Sequence, residues 1–252
     1  MDLGLAEKVV LVTGSSRGLG RVTAGLFARE GAWVVVDYFS HAEAAEETAH
    51  LVEQAGGRAL VIRADVSDAG SMQALVAKVK DTWGKPVQVL VNNAIAFEGE
   101  VDFEEMSIAS LERMYAIVVK GAVHAAQACV PGMKAAGWGR IVNITSRGAL
   151  MGAPRMSHYA AAKSALVGLT RAWAKEFGPW EILTNAVAPT LMLTETMLES
   201  LSESAREAMA KRVPVRRLAT PEDVARLVLF LGSAANTYVN GEVITVGGGA
   251  MS

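Results

Sequence analysis

The sequence predicts one α/β domain, a doubly wound parallel sheet of about seven strands with helices on both faces. Three observations carry this prediction. Short, β-branched, near-continuously apolar runs alternate with longer helical patterns, as strands buried on both faces require. The first run feeds directly into a glycine-rich loop that opens a helix. No repeat, low-complexity tract or linker divides the 252 residues, and 51% of them are hydrophobic, enough for one sizeable core.

The elements follow in order. Residues 9–12 form the first strand and 21–30 a helix closed by Gly31. Residues 33–36 form the second strand, and 42–55 a helix followed by Gly56 and Gly57. Residues 59–63 form the third strand, and 71–83 a helix stopped by Gly84. The fourth strand spans 87–91. Residues 107–136 are one long helical stretch in which Pro131 predicts a break or kink. Residues 141–144 form the fifth strand, 159–177 a helix ended by Gly178-Pro179, 182–187 the sixth strand and 242–246 the seventh.

Composition excludes several classes. The net charge is −2 with both signs scattered, which argues against a nucleic-acid groove or a polybasic membrane patch. Cys129 is alone, so no internal disulfide forms and a reducing cytoplasmic setting is expected. Residues 1–8 lack the apolar core of a signal peptide. The longest apolar stretch, 116–130, carries Lys120 and His124 and is not expected to span a membrane.

The loop Thr13-Gly14-Ser15-Ser16-Arg17-Gly18-Leu19-Gly20 joins the first strand to the first helix. Glycines permit a tight turn and a close approach of backbone to ligand, and the helix N-terminus offers free N–H groups to a pyrophosphate. A dinucleotide is therefore the expected occupant. The second strand ends in Val36-Asp37-Tyr38. An acid there favours the ribose 2′-hydroxyl of NAD, whereas Arg17 could meet the 2′-phosphate of NADP; a one-residue shift would turn Asp37 to the other face.

Tyr159 and Lys163 stand four residues apart in an alanine-rich helix and so share one face. A positive charge near a phenol lowers its pKa, and a phenol tuned in this way exchanges protons with an alcohol or ketone near neutral pH.

Thr13-Gly-x-x-x-Gly-x-Gly20, Asp65-Val66, Asn92-Asn93-Ala94, Ser146 and Tyr159-x-x-x-Lys163 occur in this order. Together, across essentially the whole chain, they resemble the short-chain dehydrogenase/reductase family, and most closely its 3-oxoacyl-carrier-protein-reductase-like members. The resemblance implies a Rossmann-type sheet, a nicotinamide cofactor, a small carbonyl or alcohol substrate and a homotetramer. It implies that Ser146, Tyr159 and Lys163 are catalytic. It places Gly14, Ser16, Arg17, Gly18, Leu19, Gly20, Asp37, Asp65, Val66, Asn92, Ala94, Pro189 and Thr194 along the cofactor, with Tyr159 and Lys163. No metal is implied. Arg17 and the branch resembled tilt the expectation towards NADP(H) over NAD(H).

Three positions depart from the family pattern. Ile95 replaces the usual glycine after Asn-Asn-Ala, Val118 stands where the long helix usually carries an asparagine, and Thr190 follows Pro189 in place of glycine. Segments 147–156 and 191–213 are expected to frame the substrate, with Met192, Leu193, Met197 and Leu198 as an adaptable apolar lining and Phe97 at the border. Arg147, Arg155 and His158 are candidates to meet an acidic substrate. Helical stretches 118–133 and 160–177 carry surplus small and apolar residues, as a symmetric interface would. Alternatives to a 3-oxoacyl thioester reductase are a dehydrogenase of a sugar, steroid or cyclic diol, and a nucleotide-binding protein with weak catalysis.

Overall fold

The computed structural model describes residues 2–96 and 98–250, so Phe97 lies outside the described residues. In chain order the strands are β1 (Val9–Val12), β2 (Trp33–Tyr38), β3 (Arg58–Arg63), β4 (Val89–Asn92), β5 (Gly139–Ile144), β6 (Ile182–Pro189) and β7 (Val243–Val246). The helices are α1 (Gly18–Arg29), α2 (Ala42–Gln54), α3 (Ala69–Trp83), α4 (Ile108–Tyr115), α5 (Gly121–Ala136), α6 (Arg147–Met151), α7 (Ser157–Phe177), α8 (Glu195–Ser200), α9 (Glu203–Arg212) and α10 (Pro221–Leu231). The seven strands form one parallel sheet in the order β3-β2-β1-β4-β5-β6-β7.

Alternation along each strand builds the two faces. Val9 and Leu11 join Met72, Leu75, Leu90, Met133, Ile141 and Leu166 under α3, α5 and α7. Val10 and Val12 join Phe27, Val52, Val89, Val142, Val228 and Leu231 under α1, α2 and α10. Both layers are buried, which is why the strands read as unbroken apolar runs. The helix Ile108–Ala136 is long and apolar enough to cross a membrane, but half of its most apolar window is buried inside the molecule.

Two local expectations are corrected. Pro131 does not break α5, which runs to Ala136. Its ring lies on the exposed face, where the carbonyl it leaves without a donor can reach water. The irregularity comes earlier, at Ala116–Lys120, which widen into a π-turn around Val118. The second concerns α10, which is absent from the predicted elements although its start is well marked. Thr220 and Asp223 close a capping box, Pro221 sits in the first turn, and Val224, Ala225, Val228 and Leu231 form the buried stripe. Helices α6, α8 and α9 are likewise additions.

Arg140 pins the base of the sheet. It is only 3% exposed, and its guanidinium donates to the carbonyls of Ser233, Gly139, Glu181 and Asn236 at 2.7–3.2 Å. Burial lowers its pKa to about 10, so it stays charged at neutral pH. Arg140→Met would take the guanidinium donors from these carbonyls and should cost on the order of 3 kcal/mol of unfolding free energy, read from urea denaturation. Arg140→Lys should fall between the two.

Candidate active site

The sheet order reverses between β1 and β4, which opens a crevice at the carboxyl ends of these strands. The glycine turn sits there. Thr13 Oγ1 accepts the N–H groups of Asn93 and Ala94 at 3.0 and 3.1 Å, and Asn93 Nδ2 donates back to the carbonyls of Thr13 and Gly14. A Cβ on Gly20 would stand 2.6 Å from the Gly14 carbonyl oxygen and 2.8 Å from Asn93 Nδ2, so this position admits only glycine. Gly18 has φ +56° and open space where a Cβ would point. Arg17 is exposed at the N-cap of α1 and makes no cap bond; the first turn of the helix carries no acid.

Arg21, which the sequence analysis did not single out, fixes the outer wall of the turn. It donates to the Ser16 carbonyl at 2.8 Å and to Thr48 and the Ala44 carbonyl on α2. The Leu19 side chain is buried in the core, leaving its backbone to the crevice. Ser16 is buried, its carbonyl occupied by Arg21 and Thr48.

Asp37 is a buried group rather than a solvated strand-end charge. Its Oδ2 accepts the Gly14 N–H at 3.0 Å, and its Oδ1 has no hydrogen-bond partner among the described residues. Burial pushes its pKa up to about 7 against the pull of the Gly14 N–H, and the nearby Asp65 charge adds to the rise. After β3, on the same side of the crevice as Asp37, Asp65 Oδ1 accepts from the backbone and hydroxyl of Ser67 at 2.9 and 2.7 Å. The Val66 carbonyl meets His124 Nδ1 at 3.0 Å.

Beyond β4 a buried polar chain crosses to α7. Asn92 Nδ2 donates to Asn143 Oδ1 at 2.8 Å, Asn143 Nδ2 to Thr170 Oγ1 at 2.9 Å, and Thr170 Oγ1 to the Leu166 carbonyl at 2.7 Å. Asn92 Oδ1 is buried and has no hydrogen-bond partner among the described residues. Asn143 is the polar member of the apolar run Ile141–Ile144, a signal that sequence reasoning passed over.

The three catalytic candidates converge at the end of β5 and the start of α7. Ser146 caps α6 through its Oγ, which accepts the Gly148 N–H at 3.1 Å, and it hydrogen-bonds the phenol of Tyr159. Lys163 is 3% exposed and donates from Nζ to the Ile144 carbonyl at 2.6 Å, while Thr145 Oγ1 donates to the Lys163 carbonyl at 2.7 Å. Burial lowers the Lys163 pKa to about 8. The expected lowering of Tyr159 by Lys163 is corrected: burial raises the phenol, with the Ser146 hydrogen bond pulling the other way. The ammonium is directed at the Ile144 carbonyl, and the phenol is held in its proton-carrying form at neutral pH.

The remaining candidates take varied places. Ile95 is 43% exposed and does not fill the crevice. Thr190 donates its N–H to the Val246 carbonyl at 3.1 Å, just after Pro189 closes β6. Thr194 is the N-cap of α8, accepting the Met197 N–H. His158 is 1% exposed, and neither of its ring nitrogens has a hydrogen-bond partner among the described residues, so it does not face substrate from the surface. Arg155 pairs with Asp102 at 3.0 Å. Met192 packs against the core, not a substrate pocket. A cavity of about 490 Å³ lies between the segment after β6 and the segment after β7, with Leu191 and with Arg147, the residue after Ser146, on its wall.

Asp37 gives this site a pH signature. Its folded pKa lies above the value of a free carboxylate, so its contribution to stability is present at low pH and is lost as pH rises through about 7. Asp37→Asn keeps an acceptor for the Gly14 N–H. In thermal melts of the ligand-free protein it should be more stable than wild type at pH 8.5, by a margin that shrinks as pH falls below about 7 and closes only near pH 4, where the free carboxylate also takes up its proton. An equal difference at both pH values would contradict the buried-acid account.

Residues 14–251 match the family described as enoyl-(acyl carrier protein) reductase. The chain is 37% identical to cis-4-hydroxycyclohexanecarboxylate dehydrogenase of Sinomonas cyclohexanicum, across 99% of this chain and 98% of that one. It is also 37% identical to 3-oxoacyl-[acyl-carrier-protein] reductase of Thermotoga maritima, across 97% and 98%. The solved structure of a 7α-hydroxysteroid dehydrogenase with NADH and 7-oxo glycochenodeoxycholic acid superimposes with a TM-score of 0.91 at 35% identity, across 98% and 96%. With the Rossmann-type sheet, the glycine turn and the Ser146–Tyr159–Lys163 centre in common order, the chain belongs to the short-chain dehydrogenase/reductase family of oxidoreductases.

Proposed function

We propose that this oxidoreductase interconverts a ketone and the matching secondary alcohol with NADP(H), Tyr159 exchanging the proton. The observation that carries the reading is the meeting of the Tyr159 phenol, the Ser146 hydroxyl and the buried Lys163 ammonium at one end of β5, beside the glycine turn. The crevice suits a dinucleotide. It offers an uncapped helix N-terminus, a glycine that no other residue can replace, and two buried acceptors, Asp37 Oδ1 and Asn92 Oδ1, without partners. The nicotinamide dinucleotide supplies or removes a hydride when bound.

The residues of this chain supply the rest. In reduction, Tyr159 donates its proton to the carbonyl oxygen as negative charge builds there, and Ser146 steadies the same oxygen with its hydroxyl. In oxidation, the phenolate takes the alcohol proton. Lys163, held on the Ile144 carbonyl in the ligand-free protein, would favour the phenolate by turning its Nζ toward the phenol as the negative charge forms. Gly14, Gly18 and Gly20 bring the backbone to the pyrophosphate. Asp65 and Val66 bound the adenine, Asn92 and Ala94 the ribose, and Pro189 and Thr194 the nicotinamide.

The preference for NADP(H) rests on Arg17, an exposed cation at the helix end with no acid paired to it among the described residues, and on the inward turn of Asp37. Relatives in the family act on a hydroxy-substituted cyclohexane acid, a 3-oxoacyl thioester and a hydroxysteroid, which share a secondary alcohol or ketone on an apolar body. We place the substrate in that class, in the cytoplasm. We also propose a homotetramer built on the outer faces of α4, α5 and α7, where Ile108 and Tyr115 are exposed. Light scattering separates that assembly from a 26.6 kDa monomer.

Two substitutions test the reading. Tyr159→Phe should lower turnover by about 10²- to 10⁴-fold while nicotinamide-dinucleotide binding, followed by fluorescence, is retained. Undiminished turnover would remove the phenol from the chemistry. Arg17→Ala should weaken NADPH binding by about tenfold or more and leave NADH nearly unchanged, as loss of one charge-assisted contact predicts. Equal losses for the two cofactors would overturn the NADP(H) preference.

A further inference from the structure

The cavity of about 490 Å³ has a size usual for small-molecule sites, yet the Tyr159 phenol does not line it. Its position is set by the two segments that leave the catalytic edge. Arg147 directly follows Ser146, about 4 Å of chain away, and Thr190 and Leu191 directly follow Pro189 at the carboxyl end of β6. Met209 and Arg212 of α9 and Val213 and Val215 of the loop after it complete the lining on another side.

The lining divides in two. Leu191, Met209, Val213, Val215 and Val246 make an apolar wall. Arg147, Arg212 and Arg217 bring three guanidinium groups, against the single carboxylate of Asp223. Asp223 is already committed: it holds Arg217 through both oxygens and caps α10. Arg147 donates to the Ala250 carbonyl at 3.1 Å and has no acidic partner among the described residues. Arg212, the last residue of α9, has neither a hydrogen bond nor an ion pair for its side chain among them. Two guanidinium groups with no acid paired to them among the described residues, beside an apolar wall, complement a molecule that is apolar along its body and anionic at one end. A guanidinium is also the donor best shaped for a carboxylate, since it can offer two parallel N–H groups.

We propose that this cavity binds the carboxylate-bearing tail of the substrate, and that Arg147 and Arg212 select amphipathic acids over neutral molecules of the same shape. The proposal rests on the oxidoreductase reading for the word substrate, but the site itself is open to a binding test. Arg147 and Arg212 hold the acid group, and the apolar wall receives the chain or ring that joins it to the carbonyl.

The probes are decanoate and decanamide, equal in length and differing in charge, titrated calorimetrically into the wild-type protein at submillimolar concentration. Decanoate should bind at least tenfold more tightly than decanamide. Arg147→Met/Arg212→Met should remove that difference, and Arg147→Lys/Arg212→Lys should recover most of it. Thermal melts and dinucleotide binding of each variant check that it is folded. If the methionine pair proves unstable, the lysine pair and the acid-to-amide ratio in wild type still decide the matter. Equal binding of the two probes, no binding of either, or decanoate binding unchanged in a folded methionine variant would overturn the proposal. Charge-selective binding in a protein that turns over no carbonyl compound would leave the site standing and reject the oxidoreductase reading. Turnover without charge selectivity would do the reverse.

Discussion

The interlock between Thr13 and Asn93 is the constraint on which the carboxyl edge depends. Each side chain satisfies the other strand's departing backbone: Thr13 Oγ1 takes two N–H groups from the β4 side, and Asn93 Nδ2 returns two bonds to carbonyls on the β1 side. Neighbouring β1 and β4 send their chains to opposite faces, and these side-chain bonds, with the Thr13 N–H donated to the Val91 carbonyl at 3.0 Å, hold the two loops together there. With the loops fixed, the glycine turn has room only for a backbone, and α1 starts with its N–H groups facing the crevice. A switch point is ordinarily a gap between loops. Here it is a rigid gap, and rigidity lets a few backbone amides act as a site.

The same edge concentrates groups whose burial is unfavourable in the isolated chain. Asp37, Asn92 and Lys163 are all buried within it. Lys163 is supported by the Ile144 carbonyl, and Asn92 by Asn143, while one oxygen each of Asp37 and Asn92 remains unbonded. Buried polar atoms without partners are uncommon in a settled fold and are concentrated where a ligand completes the set. The polar chain through Asn143 and Thr170 also ties β4 and β5 to α7, so the helix carrying Tyr159 is positioned by the sheet and not by surface contacts alone. Val118 adds no polar atom to this network. The π-turn around it keeps the long helix irregular opposite Gly121 and Val66, although the asparagine is absent.

Much of this was legible in the sequence for a physical reason. Strands buried on both faces show as apolar runs, and a site built from backbone at helix and strand ends leaves glycines at fixed spacing, so the sheet and the turn could be placed. Tyr159 and Lys163 could be paired because a helix puts positions four apart on one face. Side-chain direction at strand ends could not be read in this way. The inward turn of Asp37 depends on where β2 stops, and β2 runs two residues beyond the predicted end. Arg21 and Asn143 find partners on distant elements, which the sequence does not pair, although a polar residue inside the apolar run Ile141–Ile144 is a local mark for Asn143. The raised phenol of Tyr159 reflects its burial, with the Ser146 hydrogen bond opposing, and not the Lys163 charge that the spacing suggested. By contrast α10 was legible, since its capping box and stripe are local signals.

The account stands on one chemical claim, that this edge carries out hydride exchange with a carbonyl carbon. The direct measurement is mass spectrometry of the alcohol formed from a ketone and reduced nicotinamide dinucleotide deuterated at both C4 positions. The account predicts an alcohol with one deuterium on the carbinol carbon and a solvent-derived hydrogen on its oxygen. An alcohol without that deuterium, or no alcohol from any ketone on a broad panel, would contradict it.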